Sequence, residues 1–145
     1  MRLTSTASLD PADYPFGHDI RVRFAETDAM GIVHHAAYLP YLEETRVAYL
    51  RHIGHPYETI VAEGLHLTIT EVNVRYLAPL RFDDVVTIHC RVSLARRVSM
   101  EMTYLLRRGD DPIGTAITGH GAVDMDGKPA RTPSWLQDAM GSIAS

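Results

Sequence analysis

The chain has 145 residues, of which 46% are hydrophobic and 22% are charged, and this is the size and composition of one soluble globular domain. Its formal net charge of −4 at pH 7 argues against a protein that coats nucleic acid, because no overall basic field exists to release counterions. The single cysteine, Cys90, excludes an intrachain disulfide framework and any multi-cysteine metal site.

The beginning of the chain indicates a loose leader. Residues 1–16 contain turn-forming residues and lack the apolar core of a signal peptide. No apolar run in the chain approaches the length of about 20 residues that spans a bilayer. We therefore expect a flexible N-terminal leader over residues 1–16, a single domain over residues 17–145 and a cytoplasmic location.

A strand is predicted directly after the leader. Hydrophobic and polar residues alternate between His18 and Phe24. This period of two predicts a half-buried strand whose inner face carries Ile20, Val22 and Phe24.

A long helix is predicted next, because residues 36–53 contain no glycine. Pro40 is tolerated only in a first helical turn, which places the start of the helix near Ala36 or Ala37. At 100° per residue the helix has a broad apolar arc, formed by Tyr38, Leu39, Leu42, Tyr49, Leu50 and Ile53. An arc of this width suits a helix that a curved sheet surrounds.

Four further strands are predicted, near residues 65–77, 86–92, 98–106 and 113–125. The alternation in the first of them changes phase near Thr70 and Glu71, as at a β-bulge. In the last, Gly119 and Gly121 indicate a bend or a close approach to the backbone. The order of strand, long helix and four strands in a meander predicts an α+β fold, in which one antiparallel sheet wraps around a long central helix.

Two segments carry a resemblance to a known family. Residues 21–38, RVRFAETDAMGIVHHAAY, resemble the signature of hotdog-fold acyl-CoA thioesterases, in the branch of the 4-hydroxybenzoyl-CoA thioesterase and YbgC-like proteins. That signature is a strand, then Thr-Asp-x-x-Gly-x-Val, then His or Asn before a small residue and a Tyr at the helix start. Residues 74–84, VRYLAPLRFDD, resemble the second landmark of the family.

The resemblance extends over about residues 18–126 and implies both a fold and an activity. The expected fold is the hotdog fold, assembled into homodimers or homotetramers (dimers of dimers) with active sites at the subunit interface. The expected activity is hydrolysis of an acyl-CoA or aroyl-CoA thioester to the carboxylic acid and free CoA, with no metal or prosthetic group. Phe24, Ala25 and Met30 depart from the pattern frequent in the YbgC-like branch, and they weaken any transfer of its substrate preference.

Asp28 and His35 are the candidate catalytic residues. The resemblance implies that Asp28 attacks the thioester or activates water, whereas the spacing alone favours an aspartate that caps a turn. His35 lies at the expected helix start, where its backbone N–H is suited to a developing oxyanion and its imidazole to orienting substrate or shuttling a proton. A histidine that only makes local hydrogen bonds is the alternative.

Five further residues are predicted to bind substrate. Gly31 and Val33 are expected to shape the loop, and Tyr38 to line the acyl pocket. Arg96 and Arg97, in a turn between two strands, are candidates for the phosphates of CoA, because a guanidinium matches phosphate geometry. The alternative is that these two arginines are simply solvated.

Other interpretations of the same residues remain open. Glu26, Asp28, His34 and His35 are all potential metal ligands, but adjacent histidines rarely bind one ion and no second cluster at ligand spacing occurs. Some hotdog thioesterases use a glutamate on the helix as the base, so Glu43 or Glu44 is an alternative to Asp28 in that role. An ion pair of these glutamates with Arg46 or Arg51 is expected instead.

Two rival functions accompany the thioesterase prediction. A hotdog hydratase or dehydratase would yield an enoyl thioester detectable by chromatography. A non-catalytic acyl-CoA binding module would bind its ligand saturably without releasing thiol.

Overall fold

The computed structural model describes residues 2–141. Met1 and residues 142–145, which the sequence assigns to the leader and to the end of the domain, lie outside the described residues. The elements in chain order are β1 (Phe16–Arg21), α1 (Tyr38–His52), α2 (Tyr57–Ala62), β2 (His66–Tyr76), β3 (Val85–Ala95), β4 (Ser99–Arg108), β5 (Asp111–Val123) and α3 (Trp135–Gly141). Short 3₁₀ turns lie at Pro11–Asp13, Phe24–Glu26 and His35–Ala37. Within residues 2–141 no helix is long and apolar enough to cross a bilayer.

The five strands form one antiparallel sheet in the order β1-β3-β4-β5-β2. The predicted meander is confirmed for β3, β4 and β5, but it is wrong for β2, which pairs with β5 at the far edge. The connection of residues 77–84 is longer than a hairpin loop, and it contains Leu80, which is fully buried. Between β2 and β3 the chain therefore passes β5 and β4, from one edge of the sheet to the position beside β1. This leaves β2 as an edge strand.

Helix α1 packs against one face of this sheet and fills the core. Its buried side chains include Tyr38, Leu42, Tyr49 and Leu50, which share one cluster with inward-facing residues of the strands. The expected helix start is confirmed within one or two residues, since a 3₁₀ turn over His35–Ala37 leads directly into α1. The prediction is wrong for Leu39, which lies in the first turn beside the exposed Pro40 and is 47% exposed. A sheet with one long helix on its face confirms the expected hotdog architecture.

Two local features of the strands test the sequence analysis. The predicted bulge is confirmed, because the pairing of β2 with β5 shifts register between Ile69 and Glu71. The prediction for Phe24 is wrong, since β1 ends at Arg21 and Phe24 is 74% exposed. The cause is the carboxylate of Glu26, which accepts the Arg23 N–H at 2.8 Å and turns the chain into a 3₁₀ helix before the strand reaches Phe24.

The leader is held on the sheet by a buried carboxylate. Glu101 of β4 accepts hydrogen bonds from the backbone N–H groups of Thr4 and Ser5 and from the Thr4 hydroxyl. Burial by itself would raise the pKa of Glu101, but these hydrogen bonds outweigh it and lower that pKa. Leu3 lies beside Gly119, and a Cβ added to Gly119 would lie 2.9 Å from Cδ2 of Leu3. The group that the sequence predicts to approach the backbone of Gly119 closely is therefore a side chain of the leader.

Gly114 is required by the close approach of β5 to β2. A Cβ at this position would lie 2.6 Å from the carbonyl oxygen of Arg75, a backbone atom that moves only with the strand. We expect Gly114→Ala to lower the free energy of unfolding by about 1–3 kcal/mol, because it forces the two strands apart. Denaturant unfolding measures this loss.

Gly121→Ala is the matched control on the same strand. A Cβ there would meet its nearest atom, Thr70 Cγ2, at 3.4 Å, which is ordinary contact. Equal loss of stability in both variants would contradict the steric explanation.

Candidate active site

The loop between β1 and α1 is held to the helix through Glu26. Its carboxylate accepts the Tyr41 hydroxyl at 2.6 Å as well as the Arg23 N–H, and its carbonyl oxygen accepts the His34 N–H at 2.8 Å. Burial would raise the pKa of Glu26, but the hydrogen bonds from Tyr41 and Arg23 outweigh it and hold that pKa below its ordinary value. Glu26, which the sequence gives no function, is therefore the residue that fixes this loop.

Asp28 lies in a tight turn that bulges from the loop. Its Oδ1 accepts the Met30 N–H at 2.8 Å, and its backbone bonds to Gly31 and Ile32 close the turn. Gly31 has a φ of 79°, in the left-handed region that an L side chain rarely adopts. One carboxylate oxygen thus fixes the turn, and Oδ2 makes no hydrogen bond with any residue in 2–141, so Asp28 can both cap the turn and act on a substrate.

Val33 joins this turn to the segment after β2. Its N–H donates to the Leu80 carbonyl at 2.8 Å, and Ile32 forms an isolated bridge with Arg81. The two segments that carry the family resemblance are therefore hydrogen-bonded to each other in the fold. Val33 itself is buried beneath the turn.

The two histidines before α1 have different positions. His34 caps the 3₁₀ turn, since its Nδ1 accepts the Ala36 N–H at 3.1 Å and its carbonyl oxygen accepts the Ala37 N–H at 2.9 Å. The backbone N–H of His35 is left with no acceptor within the described part of the chain, residues 2–141. Its ring stacks on that of His34 with the centroids 4.2 Å apart.

An open cleft of about 410 Å³ brings the two candidate catalytic residues together. The residues that line it are Asp28, Met30, Ile32, Val33, His35, Tyr38, Tyr76, Leu77, Ala78 and Pro79. Six of these residues lie on the loop and the helix start, and the other four lie at the end of β2 and directly after it. Four of the predicted site residues, Asp28, Val33, His35 and Tyr38, therefore share one cleft.

Two tyrosines form the wall between the halves of the cleft. Tyr76 donates its hydroxyl to the His35 carbonyl at 3.0 Å, and its ring meets that of Tyr38 edge-on with the centroids 4.9 Å apart. Burial raises the pKa of both phenols, and Tyr76 adds to the increase at Tyr38. Both hydroxyls consequently stay protonated at neutral pH, which suits a wall and a positioning group rather than a base. Tyr76 is missed in the sequence analysis, although it lies within the second landmark segment.

The arginines predicted for phosphate binding lie elsewhere in this chain. Arg96 and Arg97 follow β3, at the end of the sheet opposite to the one where Tyr76 and the cleft lie. Arg96 contacts Glu101 at 3.9 Å, beside the leader. The structure therefore does not bring these two arginines to the cleft of their own chain.

Arg108 lies instead at the end of the sheet that carries the cleft. Its guanidinium donates to the carbonyl oxygen of Pro79 and to Asp84, both at 3.0 Å. It thereby supports the 77–80 segment that forms one side of the cleft.

The alternative base residues on α1 do not reach this cleft. Glu43 and Glu44 are exposed on the helix, and Glu44 pairs with His18 at 2.7 Å. The expected ion pairs with Arg46 or Arg51 do not form within residues 2–141. Over the same residues, no three potential metal ligands cluster closely enough to hold an ion.

Comparison with known proteins gives consistent matches over most of the chain. The pattern of the Thioesterase-like superfamily matches residues 22–140. The acyl-CoA thioester hydrolase YbgC of Escherichia coli O6:H1 is 33% identical over 98 residues, which are 68% of this chain and 73% of that protein. A structure of a hypothetical protein from Aquifex aeolicus has a TM-score of 0.82 and 34% identity, over 87% of this chain and 99% of the other. The structure of the DHNA-CoA thioesterase from Staphylococcus aureus has a TM-score of 0.78 and 25% identity, over 84% of this chain and 83% of the other.

The contacts of Glu26 predict how the loop responds to substitution and pH. We expect Tyr41→Phe to lower the free energy of unfolding by about 1 kcal/mol, because it removes one hydrogen bond to a largely buried carboxylate. Since the folded-state pKa of Glu26 is lowered, its contribution is present above the ordinary value of 4.5 and is lost as the pH falls through the folded-state pKa. The stability gap between wild type and Glu26→Gln should therefore narrow in acid, as denaturant unfolding at several pH values will show.

The control for this experiment is Glu63→Gln, since Glu63 is exposed after α2. Its substitution should leave the stability unchanged across the same pH range. A gap for Glu26→Gln that widens in acid would contradict the assigned role of the carboxylate.

Proposed function

The chain belongs to the Thioesterase-like superfamily, and on that premise we propose that it hydrolyses acyl-CoA or aroyl-CoA thioesters to the carboxylic acid and free CoA. The observation that carries the proposal is the shared cleft of Asp28 and His35. An acid with a free carboxylate oxygen lines the same cleft as a residue whose backbone N–H has no acceptor within residues 2–141. Thioester hydrolysis needs these two groups: one to attack the carbonyl carbon or activate water, and one to bind the oxyanion.

The reaction follows from the roles of these groups. Asp28 acts as nucleophile, forming an anhydride that water then opens, or as general base that deprotonates the attacking water. In either case the His35 N–H stabilises the negative carbonyl oxygen. It lies at the start of a helix, which is the positive end of the helix dipole. The carbon–sulfur bond breaks as the tetrahedral intermediate collapses, to the anhydride in the first route and directly to the carboxylic acid in the second. The CoA thiolate leaves in that step and takes up a proton.

The substrate contacts of the proposal are on both sides of the cleft. Gly31 and Val33 shape the turn that presents Asp28, and Tyr38 forms the floor against which the acyl group packs. Arg75 and Arg81 flank the 76–80 segment, are exposed and make no ion pair with any residue in 2–141. We therefore assign the CoA phosphates to these two residues within the same chain, in place of Arg96 and Arg97.

A homodimer formed through β2, or a dimer of such dimers, is part of the proposal. The strand is at the edge of the sheet and is 11 residues long, and its middle residues Thr68, Ile69, Thr70 and Glu71 are exposed. A long edge strand of this kind is a template for pairing with another chain. Antiparallel pairing of β2 with its copy would place the cleft at the subunit interface. The cytoplasmic location expected from the sequence stays a prediction.

Substitution of Asp28 separates its catalytic role from its role in the turn. In Asp28→Asn the amide oxygen can still accept the Met30 N–H, so the turn is retained while the nucleophile or base is lost. We expect release of free thiol from a panel of acyl-CoAs to fall by at least about 10³-fold, with unfolding stability close to that of wild type. Single-turnover hydrolysis in isotopically labelled water will distinguish the two mechanisms, because only a nucleophilic Asp28 acquires the label.

Asp83→Asn provides a control, since this carboxylate is exposed and pairs with Arg21 away from the cleft lining. It should retain full activity. Turnover at the wild-type rate in Asp28→Asn would refute the catalytic assignment. Thioester hydrolysis would be refuted if the wild-type protein formed an enoyl thioester, or bound acyl-CoA without releasing thiol.

Pairing through β2 is tested by charge at the centre of the edge. We expect wild type to sediment at twice or four times its chain mass of 16.2 kDa, and Thr70→Lys to weaken that assembly, because lysines of the two copies would meet near the symmetry axis. Thr59→Lys, at an exposed position of α2, should have no effect. A monomeric wild type, or equal assembly in both variants, would contradict pairing through β2.

A further inference from the structure

A second cleft, of about 370 Å³, lies between the later half of α1 and the sheet. Its apolar lining is formed by Val47, Leu50, Tyr57, Leu67, Ile69, Met100 and Met102. Its polar lining consists of Glu43, Arg46 and His120. An apolar cleft with a few polar groups is the usual form of a site for a small molecule, and neither catalytic candidate lies in it.

Two of the polar lining residues, Arg46 and His120, are the ends of a chain of four hydrogen-bonded side chains. Arg46 donates from Nη1 to the Tyr104 hydroxyl at 3.3 Å, and this hydroxyl lies 2.8 Å from that of Thr118. The Thr118 hydroxyl in turn lies 2.7 Å from Nε2 of His120. Tyr104, Thr118 and His120 are all buried to 98% or more.

The direction of these bonds determines which nitrogen of His120 carries the proton. A guanidinium can only donate, so the Tyr104 oxygen accepts from Arg46 and its hydrogen is left for Thr118. The Thr118 hydrogen is then left for Nε2 of His120, which must accept it. The proton of the neutral ring is therefore on Nδ1, and this N–H has no acceptor among residues 2–141.

The charge state of His120 is fixed as well. Burial, together with the smaller effect of the nearby charge of Arg46, lowers its pKa to about 3. The ring consequently stays neutral over the physiological range, and Nδ1–H remains a donor. A buried donor without an acceptor is costly, and His120 lines the cleft although Nδ1 itself is shielded from solvent. A ligand acceptor that reaches Nδ1 after a small rotation of the ring would therefore be favoured.

We propose that this cleft holds the far end of the acyl group, and that His120 selects acyl groups that carry a neutral oxygen acceptor, a hydroxyl or keto oxygen, at that end. The inference rests on the proposed thioesterase function and on pairing through β2. A neutral oxygen fits better than a carboxylate, because Glu43 lines the same cleft and would repel a second negative charge.

The pairing of β2 explains how the acyl group reaches this cleft. In one chain the first cleft lies at Tyr76 and the second at Leu67, which are separated by about 30 Å of strand. When β2 pairs antiparallel with its copy, the Tyr76 end of one protomer lies beside the Leu67 end of its partner. The thioester at Asp28 of one protomer would then direct its acyl group into the second cleft of the partner.

The experiment compares ω-hydroxyacyl-CoAs with methyl-terminated acyl-CoAs of equal heavy-atom count, over a series of chain lengths. At the best-fitting length we expect wild type to favour the hydroxylated substrate by about tenfold in kcat/KM, because one buried hydrogen bond is gained. His120→Leu should remove this preference. His120→Asn, whose amide nitrogen can occupy the place of Nδ1, should restore it in part.

A second measurement does not depend on turnover or on these variants folding. In Asp28→Asn protein with labelled histidine, the Nδ1–H resonance of His120 should shift on binding the hydroxyacyl-CoA and not on binding the methyl-terminated one. The proposal would be overturned by equal kcat/KM values for the two substrates in wild type, or by an unchanged preference in His120→Leu. It would also be overturned if an ω-carboxyacyl-CoA of the same length were hydrolysed faster than the ω-hydroxyacyl-CoA. Absence of thiol release with every thioester would instead refute the proposed function.

Discussion

The geometry of the first cleft depends on the hydrogen bonds of one glutamate. Glu26 ties its own turn to α1 through Tyr41 and ties the helix start back to the loop through His34. Between these two attachments the chain has only enough length for the small turn that carries Asp28. The position of the acid relative to the free N–H of His35 is therefore set by contacts that neither residue makes.

The helix start is capped by the residue that Glu26 holds, His34. The ring of His34 takes the N–H of Ala36, and its carbonyl oxygen takes that of Ala37. A helix start normally leaves several donors to solvent. Here the ring and the carbonyl oxygen of His34 take two of them, and the N–H of His35, which has no acceptor among residues 2–141, lies at the cleft.

The sequence predicts the features that depend on neighbouring residues. The helix start follows from Pro40, the bulge from the phase change at Thr70, and the grouping of Asp28, Val33, His35 and Tyr38 from one short segment. Features that depend on distant contacts are predicted wrongly or not at all. The edge position of β2 is set by a connection that crosses the fold. Phe24 is a local exception, because its exposure follows from the bond between the Arg23 N–H and the side chain of Glu26, three residues further on. The distance of Arg96 and Arg97 from the cleft is set by strand direction. The free donor of His120 is set by a chain of hydrogen bonds through side chains of α1, β4 and its own strand β5.

The attachment of the leader has a consequence for how the protein tolerates change at its beginning. Glu101 is nearly buried, and three donors of Thr4 and Ser5 satisfy it. A deletion there would remove these three donors from a nearly buried carboxylate on β4, the strand that also carries Met100 and Met102 into the second cleft. The first residues of the chain are thus the support for the strand that lines the second cleft.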